Sequence, residues 1–97
     1  MMKRRLLSVG WRLPGERAVN GPISAREAKA VGATIFVSGA ATKFEIYHKD
    51  NWGDERFPWR LSRVIGVGSE RPGEMSVAVD EFGSLREAMR EARKLAR

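Results

Sequence analysis

The chain has 97 residues, enough for one compact domain and too few for two, so we predict a single domain over residues 1–97. It contains no cysteine, which excludes disulfides, zinc–thiolate sites, iron–sulfur clusters and cysteine nucleophiles. No apolar run approaches the roughly 20 residues that cross a bilayer, and the basic start lacks the apolar core of an export signal. We therefore expect a soluble, cytoplasmic protein that does not contact membranes.

The charge of the chain is positive and unevenly placed. Basic residues outnumber acidic ones by 18 to 12, and thirteen of them are arginine, the side chain suited to paired contacts with phosphate or carboxylate. Residues 1–30 hold seven basic and two acidic residues, and residues 84–97 hold five and two. We expect two basic surfaces, which either a polyanion or an acidic protein surface could recognise.

The first predicted element is a half-buried strand. Apolar residues recur there at spacing two, at Leu7, Val9, Trp11 and Leu13. Pro14 and Gly15 end this pattern, and residues 20–22 form a turn.

A short helix and a buried strand follow. Ser24 and Glu27 match a capping box, which predicts a helix over residues 25–31 that ends at Gly32. The β-branched run at residues 34–38 then predicts a buried strand.

The middle of the chain predicts two strands around a polar loop. Residues 43–49 alternate, which sets Phe44, Ile46 and His48 on the inward side. Residues 50–58 are loop-like in composition, and a strand runs from Trp59 to Val67. One more strand follows, in which we predict an inward face formed by Met75, Val77 and Val79.

The last element is a two-sided helix. Ser84 and Glu87 form a second capping box before it. Its apolar side consists of Leu85, Ala88, Met89, Ala92, Leu95 and Ala96. At roughly 100° per residue, a row of arginines falls within about 60° on another side, at Arg86, Arg90, Arg93 and Arg97. Ion pairs of Glu87 with Arg90 and of Glu91 with Lys94 would offset part of the repulsion along this row.

Together these elements predict an α+β fold. We expect an antiparallel sheet of four or five strands, with the short N-terminal helix and the longer C-terminal helix packed on one face.

Part of the chain resembles known families. The stretches KFEIY at 43–47, WRL at 59–61 and FGSLREA at 82–88 follow the strand, strand, strand and helix pattern of YegP-like small proteins. The AP2-like N-terminal domain of tyrosine recombinases is similar over the same region, residues 43–97. The YegP-like resemblance implies no defined chemistry. The recombinase resemblance implies DNA contact through the exposed sheet face, here through Lys43, Glu45, Tyr47, Lys49 and Arg60.

The sequence offers no catalytic constellation, and we predict a protein that is not an enzyme and has no cofactor or metal. His48 is the only histidine, which excludes histidine-based metal clusters, and its place at the end of an inward face favours a hydrogen-bonded structural imidazole. Asp50, Asp54 and Glu55 could gather a hard cation, but their spacing matches no calcium loop, so solvated carboxylates are the better interpretation.

One aromatic and basic cluster stands out, formed by Trp52, Arg56, Phe57, Trp59 and Arg60. Aromatic faces can stack on unpaired bases while guanidinium groups hold phosphates, and the same residue types dominate protein interfaces. The alternative is that these residues have only a structural role, in packing the core and the loop. By its parity Trp59 points into the core, which leaves Trp52 as the exposed aromatic residue.

Two functional hypotheses remain. The first is a small non-enzymatic nucleic-acid-binding accessory protein, encoded on a bacterial chromosome or mobile element, which contacts phosphates through its basic residues. The second is a phage-type inhibitor or modulator of a host nucleic-acid machine, which uses Arg86, Arg90 and Trp52 against a protein surface. An exposed edge strand could also pair two copies into a homodimer. The candidate binding residues are Lys3, Arg4, Arg5, Arg12, Trp52, Arg56, Arg60, Arg86, Arg90, Arg93 and Arg97.

Overall fold

The computed structural model describes residues 7–40, 42–65 and 75–96. Within these ranges the chain forms an α+β domain of six strands and two helices. In chain order the elements are β1 (Ser8–Arg12), β2 (Val19–Asn20), α1 (Ala25–Val31), β3 (Thr34–Ser38), β4 (Lys43–His48), β5 (Trp59–Ile65), β6 (Met75–Phe82) and α2 (Leu85–Ala96).

All six strands join in one antiparallel sheet. Their order across the sheet is β2, β1, β3, β4, β5 and β6, so β2 and β6 are its edges. Side chains of alternate residues in each strand point to the same face, and Ile35, Ile46 and Leu61 meet in register on one of them. Ala28 of α1 and the buried residues of α2 belong to the same core. The two helices therefore pack on one face, as the sequence predicted.

Helix α1 begins and ends at residues that satisfy its terminal backbone groups. The hydroxyl of Ser24 accepts a hydrogen bond from the backbone N–H of Glu27 at 3.1 Å. Gly32 closes the other end with φ 72°, a left-handed conformation that glycine adopts without steric cost, and its N–H donates to the carbonyl of Ala28. The predicted boundaries of this helix are confirmed.

Helix α2 lies close to the sheet because small residues line its buried side. Leu85, Ala88, Ala92 and Ala96 are buried, and Met89 is half-buried. The predicted burial of Leu95 is wrong, since that side chain is exposed at the margin of the apolar side. The Ser84 hydroxyl accepts from the N–H of Glu87 at 3.2 Å and donates to the Glu87 carboxylate at 3.3 Å. The predicted Ser84 cap is confirmed, whereas the reciprocal bond of a capping box, from the Ser84 backbone N–H to the Glu87 carboxylate, is absent among the described residues.

The sheet has more strands than the four or five expected. The additional strand β2 has only two residues, and Gly10 and Trp11 of β1 pair with it. So short a strand shows no hydrophobic period, and the sequence there indicated only a turn. The predicted end of β5 at Val67 lies outside the described residues.

The predicted burial of the apolar face of β6 is wrong. Met75, Val77 and Val79 are exposed, and Met75 keeps 60% of its surface accessible. β6 is an edge strand with an irregularity opposite Leu61 and Ser62, where Asp80 and Ala78 are the successive partners and Val79 is skipped. Alternation identified the apolar residues of β6, but it could not show that neither helix covers them.

None of the helices in the described ranges has the length and apolar character needed to span a bilayer.

The close contact between α2 and the β3–β4 turn generates a test. A β-carbon at Gly39 would overlap the carbonyl oxygen of Ala96, so we expect Gly39→Ala to lower the free energy of unfolding by about 1–3 kcal/mol. Urea denaturation measures this value. Gly83→Ala is the matched control, because its β-carbon would lie at an ordinary 3.5 Å from the Arg56 carbonyl oxygen. Equal stability of the two variants would contradict the close approach.

Candidate nucleic-acid interface

The face of the sheet opposite the helices carries a mixed basic and aromatic surface. Register places Phe36 beside Glu45, and Tyr47 beside Arg60, on the side away from the core. We call this side the helix-free face, and its exposed or half-buried polar and aromatic side chains include those of Arg12, Lys43, Glu45, Tyr47 and Arg60. Residues from β1, β4 and β5 thus share one surface, although they are far apart in sequence.

Phe36 lies at the centre of this face and is buried without help from either helix. The guanidinium carbon of Arg12 lies 5.0 Å from the centre of its ring, and the ammonium nitrogen of Lys43 lies 4.6 Å from it. Each such cation–aromatic contact contributes about 0.5–1 kcal/mol near a surface. The aliphatic stems of the two side chains cover the ring while their charged groups stay near solvent.

A second aromatic group lies where β4 and β5 meet the 50–58 loop. The ring of Trp52 has its centre 6.4 Å from that of Tyr47 and 5.3 Å from the guanidinium carbon of Arg60. Trp52 remains 49% exposed, as the sequence predicted, whereas Trp59 is buried in the core. We call Tyr47, Lys49, Trp52 and Arg60 the Trp52 cluster.

Lys49 differs from the expectation that it faces DNA. Its side chain is only 1% exposed, and its ammonium nitrogen lies 2.8 Å from a carboxylate oxygen of Glu81 and 5.6 Å from the centre of the Trp52 ring. Among the described residues no acceptor meets this ammonium with good hydrogen-bond geometry, so the contact with Glu81 is chiefly ionic. Lys49 therefore supports the loop from beneath, and it offers no charge to a ligand.

Gly53 permits this arrangement. Its φ of 79° is left-handed, and a β-carbon there would lie 2.7 Å from the Lys49 ammonium nitrogen. Asp50 also has a left-handed φ of 58°, so the chain turns sharply on both sides of Trp52. The loop geometry thus holds the indole over the buried ammonium.

Arg56 does not join the Trp52 cluster. Its guanidinium donates to both carboxylate oxygens of Asp54, at 3.1 and 2.9 Å, and its backbone N–H donates to Asp54 at 3.0 Å. These hydrogen bonds lower the pKa of Asp54 from 3.8 to about 2. The Asp54 carboxylate already pairs with a cation, and the partner of Arg56 lies within its own loop.

His48 has the structural role that its position predicted. It lies at the end of the inward face, in edge-to-face contact with Trp59 at 5.0 Å between ring centres. Its Nδ1 accepts a hydrogen bond from the backbone N–H of Asp50 at 3.0 Å. No group of three or more potential metal ligands forms within the described ranges.

The arginine row of α2 forms a second basic surface in the helical layer. Arg86, Arg90 and Arg93 are exposed, and we call them the helix stripe. No described carboxylate lies within 4.0 Å of them, so the expected pairing of Glu87 with Arg90 is absent, as is that of Glu91 with Lys94. The remaining candidate residues, Lys3, Arg4, Arg5 and Arg97, lie outside the described residues.

The structure therefore divides the predicted binding residues. Arg12, Trp52 and Arg60 share the helix-free face, while the helix stripe lies on the other side of the sheet. Lys43 was predicted only through the recombinase resemblance, and Phe36 was not predicted at all. The alternation of residues 43–49 places Lys43 on the outward side of its strand. Nothing in the sequence showed that β1 and β3 would bring Arg12 over Phe36.

The buried ion pair of Lys49 and Glu81 predicts that removing one partner lowers the free energy of unfolding more than removing both. Glu81→Gln leaves the Lys49 ammonium without its carboxylate, and we expect a loss of about 1–3 kcal/mol in the free energy of unfolding. Adding Lys49→Met should recover most of this loss, since it removes the buried charge. Urea denaturation tests both, with Asp80→Asn as the control at the neighbouring exposed carboxylate. If Glu81→Gln is no more destabilising than Asp80→Asn, the pair does not support the loop.

The Asp54–Arg56 pair predicts a pH dependence confined to acid. Because the pKa of Asp54 is lowered to about 2 in the folded protein, the contribution of the pair to stability is complete above pH 3.8 and is lost as the pH falls through about 2. Carboxyl-carbon NMR should show this low midpoint for Asp54, and Arg56→Ala should move it toward 3.8. An unchanged midpoint in the variant would contradict the assignment.

Comparisons with known proteins give no information about this candidate interface. No family model, curated protein or solved structure matches this chain. The resemblance of residues 43–97 to YegP-like proteins and to the recombinase domain thus stays a prediction.

Proposed function

We propose that this protein is a small, non-enzymatic nucleic-acid-binding accessory protein whose principal contact surface is the helix-free face. The observation that carries the proposal is the convergence of Arg12, Lys43 and Arg60 with the exposed ring of Trp52 on that one surface. Cations beside an exposed aromatic group suit a ligand that carries both phosphates and bases.

The cations of this face are available for phosphate. Within the described ranges no carboxylate lies within 4.0 Å of Arg12, Lys43 or Arg60. The one acidic group at its centre, Glu45, accepts a hydrogen bond from the Ser76 hydroxyl at 3.0 Å. Glu81 is directed to Lys49, which removes a second negative charge from competition with phosphate. The face thus retains a positive balance that would attract a polyanion.

Trp52 would supply the contact that depends on bases. Stacking of a base on an exposed aromatic ring contributes about 1–3 kcal/mol and tolerates any sequence. The flanking turns hold the indole in place, so little side-chain entropy would be lost on binding. Binding would then be steeply salt-dependent and weakly sequence-specific.

We expect Trp52→Ala to weaken binding of a single-stranded oligonucleotide by about 5- to 100-fold at constant salt. Fluorescence anisotropy measures the affinity. Phe57→Ala is the matched control, because Phe57 is a similarly exposed aromatic residue of the same loop that lines a separate groove with Val79 and Asp80 of β6.

The salt dependence supplies the second readout. Arg12→Ala and Arg60→Ala should each reduce the slope of log affinity against log salt by about 0.7 with single strands, whereas Trp52→Ala should leave the slope unchanged. Wild-type binding weaker than about 10⁻⁴ M at roughly 150 mM salt would overturn the proposal.

The alternative, an inhibitor or modulator of a host nucleic-acid machine, draws its support from the exposed helix stripe, which no described carboxylate approaches within 4.0 Å. This hypothesis needs Arg86, Arg90 and Trp52 to act together, but Trp52 contacts residues of the helix-free face while the stripe lies in the helical layer. Capture of a partner that survives nuclease treatment and is lost in an Arg86→Glu, Arg90→Glu variant would favour this alternative.

A further inference from the structure

The sheet separates the two basic surfaces of the protein. On one side, Arg12, Lys43 and Arg60 surround the aromatic groups of the helix-free face. On the other side, α2 packs its alanine-rich side on the sheet and carries the helix stripe on its exposed flank. A polyanion that lies along one surface therefore leaves the other surface free.

The helix stripe has the geometry of a linear anion contact. At a rise of about 1.5 Å per residue, Arg90 and Arg93 lie about 6 and 10.5 Å along the axis from Arg86. Charges on one strand of a duplex follow each other at about 3.4 Å along the axis, so the row spans about three phosphate steps. No described carboxylate is close enough to neutralise the row. Three exposed arginines in line fit an extended phosphate backbone better than a compact acidic patch.

The edge at β6 makes continuous wrapping of one strand unfavourable. Asp80 and Glu81 lie near one end of this strand, and exposed apolar side chains occupy the rest, at Met75, Val77 and Val79. A phosphate backbone that passed around this edge would meet carboxylates and apolar groups. The edge therefore interrupts the positive surface on that side of the molecule.

We propose that one molecule of this protein bridges two nucleic-acid segments, with one segment on the helix-free face and the other on the helix stripe. This inference rests on the proposed function and adds a second, independent site to it. The protein would then hold two segments at a separation set by the thickness of the sheet and its helical layer.

The test uses the full chain with two short duplexes that each carry a single-stranded overhang, one labelled with a donor dye and the other with an acceptor dye. Wild-type protein should produce energy transfer between them, with a maximum near one protein per two duplexes and a decline in excess protein. Two charge-removal variants separate the surfaces: Arg12→Ala with Arg60→Ala, and Arg86→Ala with Arg90→Ala and Arg93→Ala. Each should still bind a single duplex by anisotropy, and each should lose the energy transfer.

The matched control is Arg17→Ala with Arg26→Ala, which removes two exposed arginines that belong to neither defined set and should retain the energy transfer. Loss of transfer in only one surface variant, or its persistence in both, would overturn bridging by two faces and would point to paired copies of the chain, which light scattering detects. Binding without any transfer in the wild type would overturn the inference alone. Failure of all duplexes and single strands to bind would instead overturn the proposed function.

Discussion

The main constraint on the structure is that its two helices cover only one face of the sheet. Two helices, of seven and twelve residues, must complete a six-stranded sheet, and both lie on the same face. The opposite face has to cover its own apolar atoms, which it does by laying Arg12 and Lys43 across Phe36. Part of the positive charge on that face thus serves to cover Phe36.

The buried Lys49 connects the fold to the interface. Its charge is costly to bury alone, and Glu81 on the edge strand compensates it. The same ammonium lies under Trp52 and against Gly53, so the position of the most exposed aromatic ring depends on the ion pair beneath it. Through this pair, the edge strand β6 and the 50–58 loop form one unit.

The sequence was sufficient where a local rule decides the outcome. Capping chemistry located α1 and the start of α2, and alternation placed Ile46 and Trp59 inward. The sequence was insufficient where the contacts of a residue depend on which strands become neighbours in the sheet. The parity of Val77 identified a face but not whether a helix covers it, and no local pattern could show Arg12 above Phe36 or Lys49 beside Glu81, which are distant in sequence.

The unpaired side of β6 is a site where the protein can self-associate. Its backbone donors and acceptors lie beside the exposed side chains of Met75 and Val77. This combination favours pairing with a strand of another molecule. The skipped Val79 and the carboxylates of Asp80 and Glu81 interrupt only the half of the strand nearer α2. Within the described part of β6, resistance to edge-to-edge aggregation therefore depends on a single irregularity and on charge confined to one end of the strand.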